Sequence, residues 1–238
     1  MIDQIGAITC TAAYATMVGV LVALSPISPR HRRLAIAAAA AWGGMIVAVA
    51  ASGGFAPGVV GPVPGPGIAF LGLLALLLAG WQLLPGFRNA LLAVPLAALI
   101  ALNATRVFGV FFLLLAAEGR LSSPFAPSAG WGDVATSLLA VPLAIVAWRH
   151  AGRVAGLIAA WNVFGALDLV IAIALGVLSA PSTPFQVFTE GAGTTTMGEL
   201  PWALVPSMLV PLYLLVHLMI AAKLRAAPGR IAGAVTAG

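Results

Sequence analysis

Apolar residues run through this chain in long blocks, separated by short polar or Gly- and Pro-rich stretches, and neither a strand period nor a one-sided helical stripe dominates. Seven blocks stand out, at about residues 5–24, 34–51, 68–84, 90–117, 134–148, 154–178 and 201–222. At 1.5 Å rise per residue each is long enough, or nearly so, for a hydrocarbon core of about 30 Å. The pattern predicts an all-α bundle of seven transmembrane helices forming one domain over 1–238. The fifth block is the shortest. The fourth, if helical throughout, reaches about 42 Å and must tilt or project.

Composition agrees with a lipid solvent. The chain is 62% apolar and 7% charged, with a mean hydropathy of +1.11, whereas a soluble domain carries about 25% charge. A soluble enzyme, a disulfide-stapled secreted domain and a disordered chain are excluded. The single cysteine, Cys10, has no partner for an intramolecular disulfide.

The net charge of +5 would suggest nucleic acid in a soluble protein. Here the basic residues lie between apolar blocks and act as topology signals, so no nucleic-acid partner is expected. Arg30, Arg32, Arg33, Arg88, Arg149, Arg153, Lys223, Arg225 and Arg230 fall in alternate loops, nine of the eleven cations. The opposite side holds Asp3, Glu118, Asp133, Glu190 and Glu199, with Arg120 as its only cation. The positive-inside rule places the N-terminus outside and the C-terminus in the cytoplasm of a multi-pass plasma (inner) membrane protein. Asp3 stands where a signal peptide would be basic, so the first block reads as an ordinary helix. Trp81 and Trp148 fall at inner ends and Trp131 and Trp202 at outer ends, while Trp42 and Trp161 read as packing residues. Residues 52–67, 122–133 and 179–199, rich in Gly, Pro, Ser and Thr, read as outer loops, the first an extended cap.

Candidate chemistry lies with polar groups at membrane depth, where a charge costs on the order of 3 kcal/mol. Arg106 in the fourth block and Asp168 in the sixth are such residues. Arg106 is twelve residues from Glu118, about 18 Å of helix, and Asp168 thirteen from Pro181, about 20 Å. Both blocks run outward, so opposite charges share one depth and a buried Arg106–Asp168 pair is predicted. Asn103 lies on the face of Arg106; Trp161, Gly165 and Asp168 form a stripe, with Asn162 beside it. These residues form a candidate ligand-binding pocket for a small molecule or ion (an ion, a proton or a small anion), with Arg106 as fork donor and Asp168 as counter-ion or proton carrier. The competing reading is an interhelical staple that only fixes packing. Glu118, Arg120, Asp133 and Glu199 make a second, outer-face polar cluster. Pro206 and Pro211 free the carbonyls of Trp202 and Ser207.

Several sharper readings fail. Seven spans with an outer N-terminus resemble the rhodopsin layout, but retinal needs a lysine near the middle of the last helix, and the only lysine, Lys223, is at its inner end. Haem needs paired axial ligands; His31 and His150 fall in inner loops and His217 falls near the inner interface. No cofactor is expected, and no zinc spacing, Ser/His pairing or phosphate loop occurs. Gly130-Trp131-Gly132-Asp133 resembles the motif of intramembrane aspartyl proteases, whose two carboxylates must share a proton. The expected depths put Asp133 about 20 Å from Asp168. No catalytic residue or metal ligand is assigned.

Asn103-x-x-Arg106-Val-Phe-Gly-Val-Phe-Phe-Leu, Glu118-Gly-Arg-Leu, Ala129-Gly-Trp-Gly-Asp133, Trp161-Asn162, Leu167-Asp168-Leu169 and Val210-Pro211-Leu212 with His217-Leu218 resemble a group of bacterial integral membrane proteins of unassigned function. The resemblance covers roughly residues 101–223 and implies no activity. The preferred expectation is a small transporter, channel or ligand-binding membrane protein built on Arg106 and Asp168. The alternative is a non-catalytic partner, sensor or scaffold subunit, self-associating or joined to another chain, with the Gly152-x-x-x-Gly156 edge as one contact face. A membrane enzyme using Glu118, Asp133, Glu190 and Glu199 is third.

Overall fold

The computed structural model describes residues 1–59 and 61–235, with side chains to residue 226. Arg230, counted among the inner cations, lies outside the described side chains. Helices α1 (Ile2–Leu24) and α2 (Pro29–Ala51) form a hairpin. The Ser28 hydroxyl accepts from the His31 N–H, and Pro29 occupies the first turn, where its missing donor goes unneeded. An irregular segment with one bridge between Gly58 and Gly61 leads into α3 (Gly65–Leu83). A short α4 (Pro85–Ala93) follows, then α5 (Leu96–Leu102), a 3-10 segment (Asn103–Gly109) and α6 (Val110–Ala117). Next come α7 (Phe125–His150) and α8 (Ala155–Leu178). A loop with a 3-10 turn at Thr195–Gly198 returns to a π-helical segment, Val205–Leu209, and α9 (Val210–Val235).

Seven of these elements are long and apolar enough to cross a membrane, and no strand forms among the described residues. Their limits differ from the apolar blocks by four residues or more in four spans; the second span begins at Pro29 and not at 34. The fourth span is Leu96–Ala117, because Pro95 disfavours helix at Val94 and separates α4 from it. That break removes the excess length. The fifth span, expected to be the shortest, is a helix of 26 residues. Pro124 and Pro127 fall at its start, where backbone N–H groups have no intrahelical partner and proline costs little. Residues 125–133 are therefore helix, not outer loop. The seventh span is Val205–Ala226, four residues further on than expected.

The seventh span is the centre of the bundle. It is 67% buried, against 6% for α2, which touches little besides α1. Helices α3, α5 and α8 pack on α9, and α7 packs along the fourth span and α8. The Ser207 carbonyl that Pro211 frees accepts from Trp42 Nε1 at 3.1 Å, and the Trp202 carbonyl accepts from the Val205 N–H at 3.0 Å. The outward faces carry exposed Leu71, Leu76, Leu138, Ile145 and Leu167, surface that suits lipid. Tryptophan does not form a regular belt: Trp131 and Trp148 are exposed, whereas Trp81 and Trp202 are buried. Trp202 is held inside because Gly6 leaves room for its ring, and its Nε1 donates to Asp3 Oδ1 at 2.7 Å. Gly152 lies in the turn between α7 and α8 and Gly156 in the first turn of α8, so the two do not share one helix, and open space surrounds both.

Candidate functional site

Arg106 is in the 3-10 segment of the fourth span and is fully buried. Four of its five N–H donors are engaged. Nε donates to Asp133 Oδ1 at 2.6 Å and Nη2 to Asp168 Oδ2 at 2.5 Å. Nη1 reaches the Gly165 carbonyl at 3.1 Å and His217 Nε2 at 3.3 Å. One guanidinium thus joins the fourth, fifth, sixth and seventh spans. The Tyr213 ring lies 5.7 Å from Arg106 Cζ. Its hydroxyl donates to Thr105 Oγ1, whose own proton goes to the Leu102 carbonyl.

The histidine tautomer follows from its partners. Asn162 Oδ1 can only accept, so His217 Nδ1, 2.9 Å away, carries the proton. Nε2 is then the acceptor for Arg106. Asn162 Nδ2 also donates to the His217 carbonyl at 3.2 Å. With both ring nitrogens engaged, His217 is a polar core residue and not the interfacial one expected. The four-residue shift of its helix moved it to mid-span.

Glycines let these groups meet. A Cβ on Gly165 would stand 2.7 Å from the His217 ring. One on Gly109 would overlap Asp133 Cβ, one on Gly130 would stand 2.7 Å from Leu113, and one on Gly132 would overlap the Asp168 carboxylate. Small residues allow close backbone approach between apolar helices. Gly130-Trp131-Gly132-Asp133 is thus a packing surface between α7 and its neighbours. Asp133 is 5% exposed and stands at the level of Asp168, so both its outer-face placement and its expected 20 Å separation from Asp168 are corrected. The two carboxylates bind different nitrogens of Arg106, which occupies the place between them that a shared proton would need.

The other expected site residues divide. Asn103 is fully buried but turns away, its Nδ2 donating to the Leu99 carbonyl at 3.1 Å and its Oδ1 left without a partner. Trp161 is buried and its Nε1 donates to the Thr136 carbonyl at 3.1 Å. At the outer cluster, Arg120 binds Asp3 at 2.9 Å and approaches Glu118 at 3.6 Å. Glu199 and Glu190 are exposed and do not join it. Among the described residues no three His, Cys, Asp or Glu side chains converge as metal ligands.

A cavity of about 230 Å³ reaches this cluster. Residues 55–58 and 63–67 roof it, and α3, α7, α8 and the π-helical segment wall it, with Phe55, Phe70, Phe112, Phe125, Leu169 and Val205 among its lining. The space exists because small residues line it: Ala129 on α7, Ala172 and Gly176 on α8, and Ala180 just beyond α8. Helices α3 and α8 make no substantial contact with each other, and the cavity lies between them. Asp133 is the single charged residue in the wall. Its Oδ1 is taken by Arg106, and Oδ2 accepts from no group among the described residues. The wall threonines point their hydroxyls elsewhere: Thr183 to Ala180, Thr194 to Gly176 and Thr195 to Ala192, all at backbone carbonyls.

The sequence patterns singled out Arg106, Asp168, Asn162 and Trp161, but missed Asp133 as a core residue, His217 and the cavity. A proline-flanked helix start at 124–127 was the available signal for Asp133.

Residues 63–225 match the family described as a domain of unknown function (DUF8737), and the chain belongs to that family. No curated protein and no solved structure matches it.

Proposed function

We propose that this chain is a multi-pass protein of the plasma membrane, N-terminus outside and C-terminus cytoplasmic, that binds a small molecule in the intramembrane cavity. Asp133 is the ligand contact. Arg106 and Asp168 are positioning residues, holding Asp133 at the cavity wall through a buried ion pair. One observation carries this reading: Asp133 belongs both to the buried charge cluster and to the wall of the cavity. A carboxylate in the wall of an otherwise apolar pocket suits a ligand that donates to it, since a buried acceptor without a donor costs about 1–3 kcal/mol.

The topology rests on the charge asymmetry, and packing supports the assignment of ends. Arg120 and Trp202 gather on Asp3 at one end, and Lys223 Nζ donates to the Leu92 carbonyl at the other. Binding is favoured over conduction because the cavity ends at Asp133, where Arg106, His217 and Asn162 are packed together.

The staple reading has its own support, for Arg106 is fully buried and four of its donors are used. It accounts for Asp168 and His217 but not for the place of Asp133 in the cavity wall. A hydrophobic carbodiimide, which modifies carboxyl groups reached from the lipid phase, separates the two. Asp133 is expected to be modified, and Gly176→Leu, which fills the cavity, is expected to prevent it. Modification of Asp168 with Asp133 untouched, or modification that Gly176→Leu leaves unchanged, would overturn the binding site.

A further inference from the structure

Resting on that site, we infer that its ligand is an organic cation with an apolar body, an amphiphilic amine drawn from the membrane. The argument begins with charge. The cluster contains one guanidinium and two carboxylates, Asp133 and Asp168, all at mid-span. His217 adds no charge, because its hydrogen bonds assign it the neutral tautomer. With both carboxylates ionised the formal sum is one negative charge, which a cation beside Asp133 would balance. Asp133 Oδ2 and Asp168 Oδ1 both lack a donor among the described residues, and of the two carboxylates Asp133 is the one that lines the cavity.

An inorganic cation does not fit that place. Sodium- or calcium-like ions take several oxygen ligands, and the wall offers a single carboxylate among mostly apolar side chains. An ammonium group needs less from the protein. Its N–H donors can bind Oδ2 in a charge-assisted hydrogen bond, and aromatic faces attract cations. Phe112 and Phe125, whose ring centroids are 5.8 Å apart, stand in the same wall. The hydrocarbon part of such a molecule would lie against Leu169, Ala172 and Val205 and replace lipid contact along the gap between α3 and α8. A molecule already dissolved in the bilayer reaches the cavity sideways, through that gap.

The test uses the full chain in nanodiscs of zwitterionic lipid, with empty discs as baseline, and three probes of one length: octylammonium, octanol and octanoate. Binding is read by calorimetry and by the shift in thermal unfolding. Octylammonium is expected to bind at least about tenfold more tightly than octanol, the equivalent of one charge-assisted hydrogen bond, with octanoate weakest. Asp133→Asn is expected to reduce the amine to the level of the alcohol, and Gly176→Leu to weaken both. Should octanol match octylammonium on the unmodified protein, the cation inference is wrong while the cavity site stands. Should no probe bind more than to empty discs, with Gly176→Leu changing nothing, the site itself is wrong. The comparison on the unmodified protein decides even if Asp133→Asn does not fold.

Discussion

Two arginines in this chain each face two carboxylates, and they do opposite things. Arg106 lies between Asp133 and Asp168 with side chains 0%, 7% and 8% exposed. Arg120 lies between Asp3 and Glu118, with 29%, 46% and 50%. The residue types are the same, so water access makes the difference. At the outer end each ion keeps part of its hydration, and a partner changes less; exposed pairs contribute about 0–1 kcal/mol. At mid-span hydration is gone, and every charge depends on its neighbours. The outer cluster therefore ties α1 to the loops through the burial of Trp202 beside Gly6 more than through its ion pair. The inner cluster fixes the mutual register of four spans.

The strongest way to break that contrast is Arg106→Met. It leaves two carboxylates buried without their cation, and removing one partner of a buried pair costs about 3–5 kcal/mol. Denaturant titration of the detergent-solubilised protein should show most of its stability lost. Adding Asp133→Asn and Asp168→Asn to the same chain should restore much of it.

A smaller effect is expected from Gly132→Ala. Its methyl would fall on the Asp168 carboxylate, and overpacking of this kind costs about 1–3 kcal/mol. Thermal unfolding checks it, and the matched Gly44→Ala, which meets open space on α2, should leave the midpoint unchanged. His217→Ala comes next. It removes an acceptor of Arg106 and the partner of Asn162, at about 1–2 kcal/mol. Smallest of all is Arg120→Gln, at about 0–1 kcal/mol and weaker still in high salt. An Arg120→Gln loss as large as that of Arg106→Met would erase the distinction between the two regions.

Much of this was readable from residue order. The seven apolar blocks mark seven helices, and counting residues from Glu118 and Pro181 brings Arg106 and Asp168 to one depth, where they form their ion pair. Asp133 was not readable in the same way. Proline and glycine before it look like a loop, yet the prolines start the helix and the glycines serve helix contact. His217 was displaced for a related reason: residues 201–203 form turns, so the seventh span runs from Val205 and its middle moves inward. The cavity was beyond reach, because it depends on which small side chains of α7 and α8 face one another. That is a property of helix rotation, which a nearly uniform apolar surface does not encode.

The claim that a ligand space extends down to Asp133 is tested most directly by two cysteines on one helix. Ala129 and Ala140 are both buried on α7, at 2% and 0% exposure, but only Ala129 lines the cavity. With Cys10, which is buried on α1, replaced by serine, each alanine is changed to cysteine and the protein is treated in membranes with N-ethylmaleimide. Rapid modification of the cysteine at 129, with the one at 140 protected, is the predicted result. Equal protection of the two would mean that the cavity is closed and that Asp133 is only part of a staple.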